Sequence, residues 1–199
     1  MGLSIIFGRY FLLLLAVGLF GAVPLAAQDG APADDNWSPL DLAVEDILAC
    51  KVDPPGFNSF AAMIDDKAEG APARGWKKIR SDNPLLYLYR LPQPVGVAGY
   101  QTQTVGLAAG ALLAILDSAD TSGIARAAGM TEEDAEIIGP AKYMGQKLVD
   151  RQEIADPQFG RIIHTRSLSV SNVTSLPGKT LYGCAYKVSI PSIDDEDEE

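Results

Sequence analysis

The chain contains one histidine, His164, so any histidine-based acid–base chemistry must run through it. His164 alternates with Ile162, Arg166 and Leu168, a period-two pattern that puts it on a strand face shared with core residues. Such a histidine reads first as a packed or strand-edge side chain. It reads second as the base of a hydrolase whose serine and acid are brought up by the fold. No serine lies in a Gly-x-Ser-x-Gly elbow to favour the second reading. Gly178-Lys179-Thr180 ends like a phosphate-binding loop, but Val173 stands where that loop needs its first glycine, and the segment leads into a strand rather than a helix. No Gly-x-Gly-x-x-Gly run marks a dinucleotide site. Asp117 and Asp120 flank a loop, while Asp65 and Asp66 sit on a helix beside Lys67; both pairs read as solvated surface groups. Two cysteines and one histidine do not make the four ligands of a structural zinc site. No metal and no cofactor is expected.

The tyrosines are the remaining chemical feature. Tyr87 and Tyr89 share one strand face, and Tyr182 and Tyr186 share another. Their rings can fill a core. On a concave sheet the same four side chains could line an apolar ligand pocket, with hydroxyls aimed at a polar group.

These residues depend on the elements that carry them. Ser38, Pro39 and Asp41 form a helix start, and Leu40, Ala43, Val44, Ile47 and Leu48 continue it at helical spacing, predicting a helix over about 39–51. Cys50 then faces the core from the end of that helix. Cys184 shares its strand face with Tyr182, Tyr186, Val188 and Ile190. Both cysteines therefore point inward, and in an oxidising compartment a helix-to-strand disulfide between them is expected.

Asp53-Pro54-Pro55-Gly56 reads as a stop, with a second helix over 58–68 and a loop over 69–75. A short strand over 76–80 and a turn at Asp82-Asn83-Pro84 come next. Residues 85–91 are apolar on both faces, as a central strand requires, and Pro92 and Pro94 read as its end. Within 95–116 the pattern favours two strands turning near Ala109-Gly110, with a buried helix as the other possibility. Short helices are expected over 121–129 and 131–138, the second with Thr131 as its N-cap. Residues 142–154 lean to strand, 160–173 alternate clearly, and after a turn at Pro177-Gly178 a last strand covers 179–190. The expectation is an α+β fold in two layers, with helices on one face of a largely antiparallel sheet.

The ends differ from the body. Arg9, an apolar run from Tyr10, then Pro24, Leu25, Ala26 and Ala27 before Gln28-Asp29 form the three parts of a secretory signal peptide over 1–27. A retained anchor is the competing reading, since the run approaches spanning length. A flexible leader over 28–37, a single domain over 38–191 and a disordered acidic tail over 192–199 complete the organisation. The chain carries a net charge of −10, and six consecutive acids from Asp194 to Glu199 end it. That balance argues against nucleic acid and against anionic lipid surfaces. It leaves a soluble product with no stable membrane insertion after signal cleavage.

The run Pro177-Gly178-Lys179-Thr180-Leu181-Tyr182-Gly183-Cys184-Ala185-Tyr186, following a helix that ends in Cys50, resembles uncharacterised exported proteins of alphaproteobacteria over about residues 38–190. The resemblance implies a periplasmic location and brings no assigned activity. The expectation is therefore a periplasmic or secreted, non-enzymatic domain that binds a small apolar ligand or an envelope protein. The alternative is a periplasmic hydrolase using His164.

Overall fold

Among the described residues, long alternating runs on both sides of the chain's centre give eight strands in one antiparallel sheet: β1 Lys77–Ile79, β2 Tyr87–Val97, β3 Tyr100–Ala108, β4 Ala111–Leu116, β5 Ala135–Ile137, β6 Tyr143–Asp156, β7 Gly160–Ser171 and β8 Thr180–Ser189. The strand order is β1-β2-β3-β4-β8-β7-β6-β5. Two four-stranded meanders thus meet along β4 and β8, where Leu112 lies opposite Cys184 and Ala114 opposite Tyr182. This is a computed structural model, and it describes residues 38–65, 70–131, 135–137 and 143–191. All of these belong to one unit, Asn36–Glu199. The signal peptide, leader and acidic tail expected from the sequence lie outside the described residues. Among the described residues, no helix is long and apolar enough to cross a membrane.

The helices are short: α1 Val44–Leu48, α2 Pro54–Asp65, α3 Gly70–Ala73 and α4 Thr121–Ala127. The capping box of Ser38 and Asp41 is present, but it starts only a 3-10 turn over Pro39–Asp41. The single helix expected over 39–51 is interrupted at Leu42 and Ala43, both extended. The Arg74 guanidinium explains the break. It donates to the Leu40 and Leu42 carbonyls, which a continuous helix would have satisfied internally. Packing over the Phe60 and Trp76 rings, at 5.4 and 5.2 Å, holds it there.

The expected stop at Pro54-Pro55 is instead the first turn of α2. The Asp53 side chain accepts from Gly56 N at 2.8 Å, and two prolines without N–H groups fit where helical donors have no internal partner. Three further expectations give way. Gly70–Ala73, expected as loop, is a helical turn. Pro92 and Pro94 lie within β2, at its register shift between Arg90 and Val95. That stretch runs beyond β1, which pairs only with Leu88–Arg90, so the missing N–H groups break no ladder on that side. Residues 135–137, expected in a helix, form edge strand β5 against Tyr143–Gly145; the open sheet edge outweighs the local helix signal.

The helices cover one face of the sheet. Phe57 of α2 stacks on Tyr186 of β8, with centroids 4.3 Å apart and planes at 13°. Phe60, Trp76 and Tyr89 continue the aromatic line at 5.9 and 5.8 Å. Ile47, Leu48, Val105, Leu112, Leu116, Val170 and Cys184 fill the space around it. The Cys50–Cys184 disulfide joins the end of α1 to the middle of β8 across a sequence separation of 134. Cys50 has φ 58°, a left-handed conformation that few side chains adopt. It occupies the position after the helix cap, donating to the Ile47 carbonyl while Lys51 N reaches the Asp46 carbonyl. Arg166 secures this corner from β7, donating to the Cys50 carbonyl at 3.0 Å and to Asp150 Oδ2 at 2.7 Å.

The other face carries a smaller apolar cluster of Leu86, Leu88, Ala111, Leu113, Ile115 and Leu181, with Val173 and Leu176 packed against it. All six residues of β4 are buried, because both of its faces are covered.

A candidate ligand-binding cleft

His164 lies on β7 between Gln152 of β6 and Val188 of β8, on the same face as the helices. Ser167, Ser169 and Ser171 alternate onto the opposite face. Asp150, on the neighbouring strand, is committed to Arg166. Among the described residues no hydroxyl or carboxylate hydrogen-bonds to the imidazole, so the parts of a serine hydrolase are not assembled around it. The other acids and the glycine-lysine run are equally dispersed. Lys179 pairs with Asp117 at 2.8 Å at the entry to β8, and Asp120 accepts from Gly123 N at 2.9 Å as the cap of α4. Asp65 is exposed, and Asp66 lies outside the described residues. Among the described residues no group of three or more His, Cys, Asp or Glu side chains converges to hold a metal ion.

All four candidate tyrosines lie on the helix-covered face, yet they do not line one pocket. Tyr89 and Tyr186 belong to the closed core, at 2% and 4% exposure. Burial raises the pKa of the Tyr186 hydroxyl, which donates to the Ile47 carbonyl at 2.6 Å. Tyr87 is 44% exposed, with the Lys78 ammonium 4.3 Å over its ring. It opens onto a hollow of about 430 Å³ beside Lys78, Arg80 and Leu86 at the sheet edge.

Tyr182 is different. It stands on β8 opposite Ala114 of β4 and Val170 of β7, at the border of the helix layer. It lines a cleft of about 410 Å³ together with Ala98, Tyr100, Asp120, Ile124 and Ala127. Two local devices shape this cleft. Ala98 and Gly99 both have positive φ, 51° and 79°, the two-residue turn that a tight hairpin between β2 and β3 requires. That turn delivers Tyr100. On the other side, Thr121 at the start of α4 hydrogen-bonds Thr180 of β8 at 2.8 Å, fixing α4 beside Tyr182. Gly129, at φ 75°, ends the helix.

Burial raises the Tyr182 pKa, so its hydroxyl remains a proton donor at neutral pH. Among the described residues, neither the Tyr182 nor the Tyr100 hydroxyl has a hydrogen-bond partner. The arrangement can receive a ligand with an apolar body against Ala98, Ile124 and Ala127 and one acceptor group aimed at a phenol. Tyr100 was not singled out by the sequence patterns; its only signal is the Ala98-Gly99 turn immediately before it.

Burial also raises the pKa values of Tyr89, Tyr182 and Tyr186 together. A raised folded-state pKa gives stability that is complete below the unfolded tyrosine value, about 10, and is lost as pH rises past it. Urea midpoints are therefore expected to hold up to about pH 10 and to fall as pH rises above it. Tyrosinate absorbance of these three side chains is expected to appear together with loss of helix circular dichroism. Full ionisation of every tyrosine while the fold persists would contradict this.

No family model, no curated protein and no solved structure matches this chain.

Proposed function

We propose that this chain is exported to the periplasm and acts by non-catalytic binding of a small, largely apolar ligand in the cleft between Tyr100 and Tyr182. The observation that carries the reading is a cleft of about 410 Å³, walled in part by Ala98, Ile124 and Ala127, that is lined by two tyrosines whose hydroxyls have no hydrogen-bond partner among the described residues. The signal-like start of the sequence and the disulfide support an oxidising destination. The lining has no basic side chain, which favours a neutral ligand over an anionic one. The dispersal of His164, the serines and the acids favours binding over hydrolysis.

Titration with N-phenyl-1-naphthylamine, a neutral apolar fluorophore, tests the cleft. Emission is expected to rise to one equivalent per chain. Ala127 is exposed on the cleft wall, so Ala127→Trp fills the space without entering the core and is expected to abolish the rise. Tyr182→Phe is expected to weaken affinity for acceptor-bearing ligands about fivefold to tenfold, the effect of one hydrogen bond. A rise undiminished by Ala127→Trp would place the probe elsewhere and end this reading.

A further inference from the structure

The outer edge of β6 is long, and most of it has no strand partner among the described residues. β5 covers only Tyr143–Gly145, so among the described residues no strand pairs with the outer edge of the following stretch to Asp156. Leu148, Val149 and Ile154 on this strand are 57%, 51% and 41% exposed. An edge of this kind presents unpaired backbone N–H and C=O groups to any strand of fitting sequence.

The charges on this edge fit one occupant, a second copy of the same strand. Past the register shift between Leu148 and Asp150, β6 runs regularly against β7. Arg151 and Glu153 then lie two residues apart on one face, with Gln152 between them on the other. Laid antiparallel on its own copy about Gln152, the strand brings Arg151 opposite the copy's Glu153 and Glu153 opposite the copy's Arg151. Both cross-strand pairs join opposite charges on the same face. Neither side chain is buried: Arg151 and Glu153 are 49% and 38% exposed, touching each other at 2.6 Å, and Glu153 also meets Arg161 of β7 at 3.2 Å on the same face. Sliding the copies by two residues in one direction sets Glu153 against Glu153, so the charges also select the register.

We propose that two copies of this chain form a two-fold dimer by antiparallel pairing of β6 edges over Asp150–Ile154, joining their sheets into one. The bulge at Val149 limits the new ladder to this regular segment. Gln152 faces its own copy at the axis. The pairing leaves the Tyr100–Tyr182 cleft untouched, so it does not depend on the ligand reading.

Sedimentation equilibrium of the disulfide-bonded protein, from nanomolar to high micromolar concentration, tests the proposal. A reversible monomer–dimer equilibrium is expected. Arg151→Glu alone and Glu153→Arg alone each set like charges opposite one another twice, and each is expected to weaken the dimer about tenfold or more. The double exchange, Arg151→Glu with Glu153→Arg, restores opposite charges and is expected to recover the dimer. Amides over 150–154 are expected to exchange more slowly in concentrated than in dilute protein. A protein that stays monomeric throughout overturns the proposal, as does a dimer indifferent to both single reversals. A single-variant effect without recovery in the double exchange also overturns it. Both side chains are surface groups whose ion pairs with each other and with Arg161 are partly solvated, so cooperative thermal melts of dilute protein will show that the variants fold.

Discussion

Replacing Cys50 and Cys184 together by alanine is expected to lower the unfolding free energy by about 5 kcal/mol, the chain-entropy value for cross-linking residues this far apart. The two cysteines are separated by 134 residues, so the bond restrains most of the domain in the unfolded ensemble. A second cost lies in the folded state. Cys50 holds a left-handed conformation, which costs a side-chain-bearing residue of order 1 kcal/mol. The disulfide and the Arg166 hydrogen bond to the Cys50 carbonyl together maintain it. Without the bond, α1 is expected to loosen first, because the helix has only five residues and no side-chain cap. Urea unfolding of the double variant checks the magnitude. Hydrogen exchange over 44–50 checks the order of events. A loss under about 1 kcal/mol would mean that the aromatic core alone fixes α1 to β8.

Phe57→Ala is the second large effect, about 3–5 kcal/mol with the disulfide intact. Phe57 is fully buried and its ring stacks on Tyr186, so truncation removes both apolar burial and the ring contact. The neighbourhood has little freedom to collapse into the space. Tyr186 is anchored by its hydrogen bond to Ile47, and Phe60 is held between Phe57 and Trp76. Tyr186→Phe provides a scale. It keeps the ring and removes one of the two donors to the Ile47 carbonyl, which Cys50 N still bonds, and is expected to cost about 1 kcal/mol. The two substitutions share one contact, so their combined cost should fall short of the sum. An unfolding midpoint for Phe57→Ala within experimental error of the parent would contradict the packing described above.

The contrast between two helix ends shows what the sequence could and could not convey. Gly129 and Cys50 occupy the same left-handed position after a helix cap, with the same pair of backbone hydrogen bonds. Gly129 announces its helix end, because glycine is the residue that this conformation suits. Cys50 announces only a disulfide, and the helix was accordingly expected to run past it. Strands β7 and β8 were legible from alternation, because period two survives where a face stays partly open, whereas β6 was read as strand only from the sheet that follows it, and the turn at Ala109-Gly110 was favoured over a buried helix. The Pro54-Pro55 start of α2 was misread as a stop. Proline marks both events, and only the Asp53 side chain bonded to Gly56 distinguishes them. The break at Leu42–Ala43 depends on Arg74, a residue distant in sequence, and no local pattern could reveal it.

The candidate site was legible in part. The paired tyrosines were visible as strand-face residues, but alternation does not say which part of a face the helices cover. Tyr89 and Tyr186 fall beneath α1 and α2, whereas Tyr182 falls at the edge of the helix layer, where α4 and the Ala98-Gly99 turn leave space. That division is set by where three short helices dock, a tertiary result. For the same reason the dispersal of His164 from Ser167, Ser169 and Ser171 became clear only with the register of β7 fixed on both sides.

Native mass spectrometry of the protein purified from the periplasm of its own host tests the central claim most directly, with the parent and Ala127→Trp measured side by side. The account predicts a disulfide-bonded chain beginning near Gln28 that carries an additional small mass, released on denaturation and missing from Ala127→Trp. A bare parent chain, or the same additional mass on both proteins, would contradict a ligand held between Tyr100 and Tyr182.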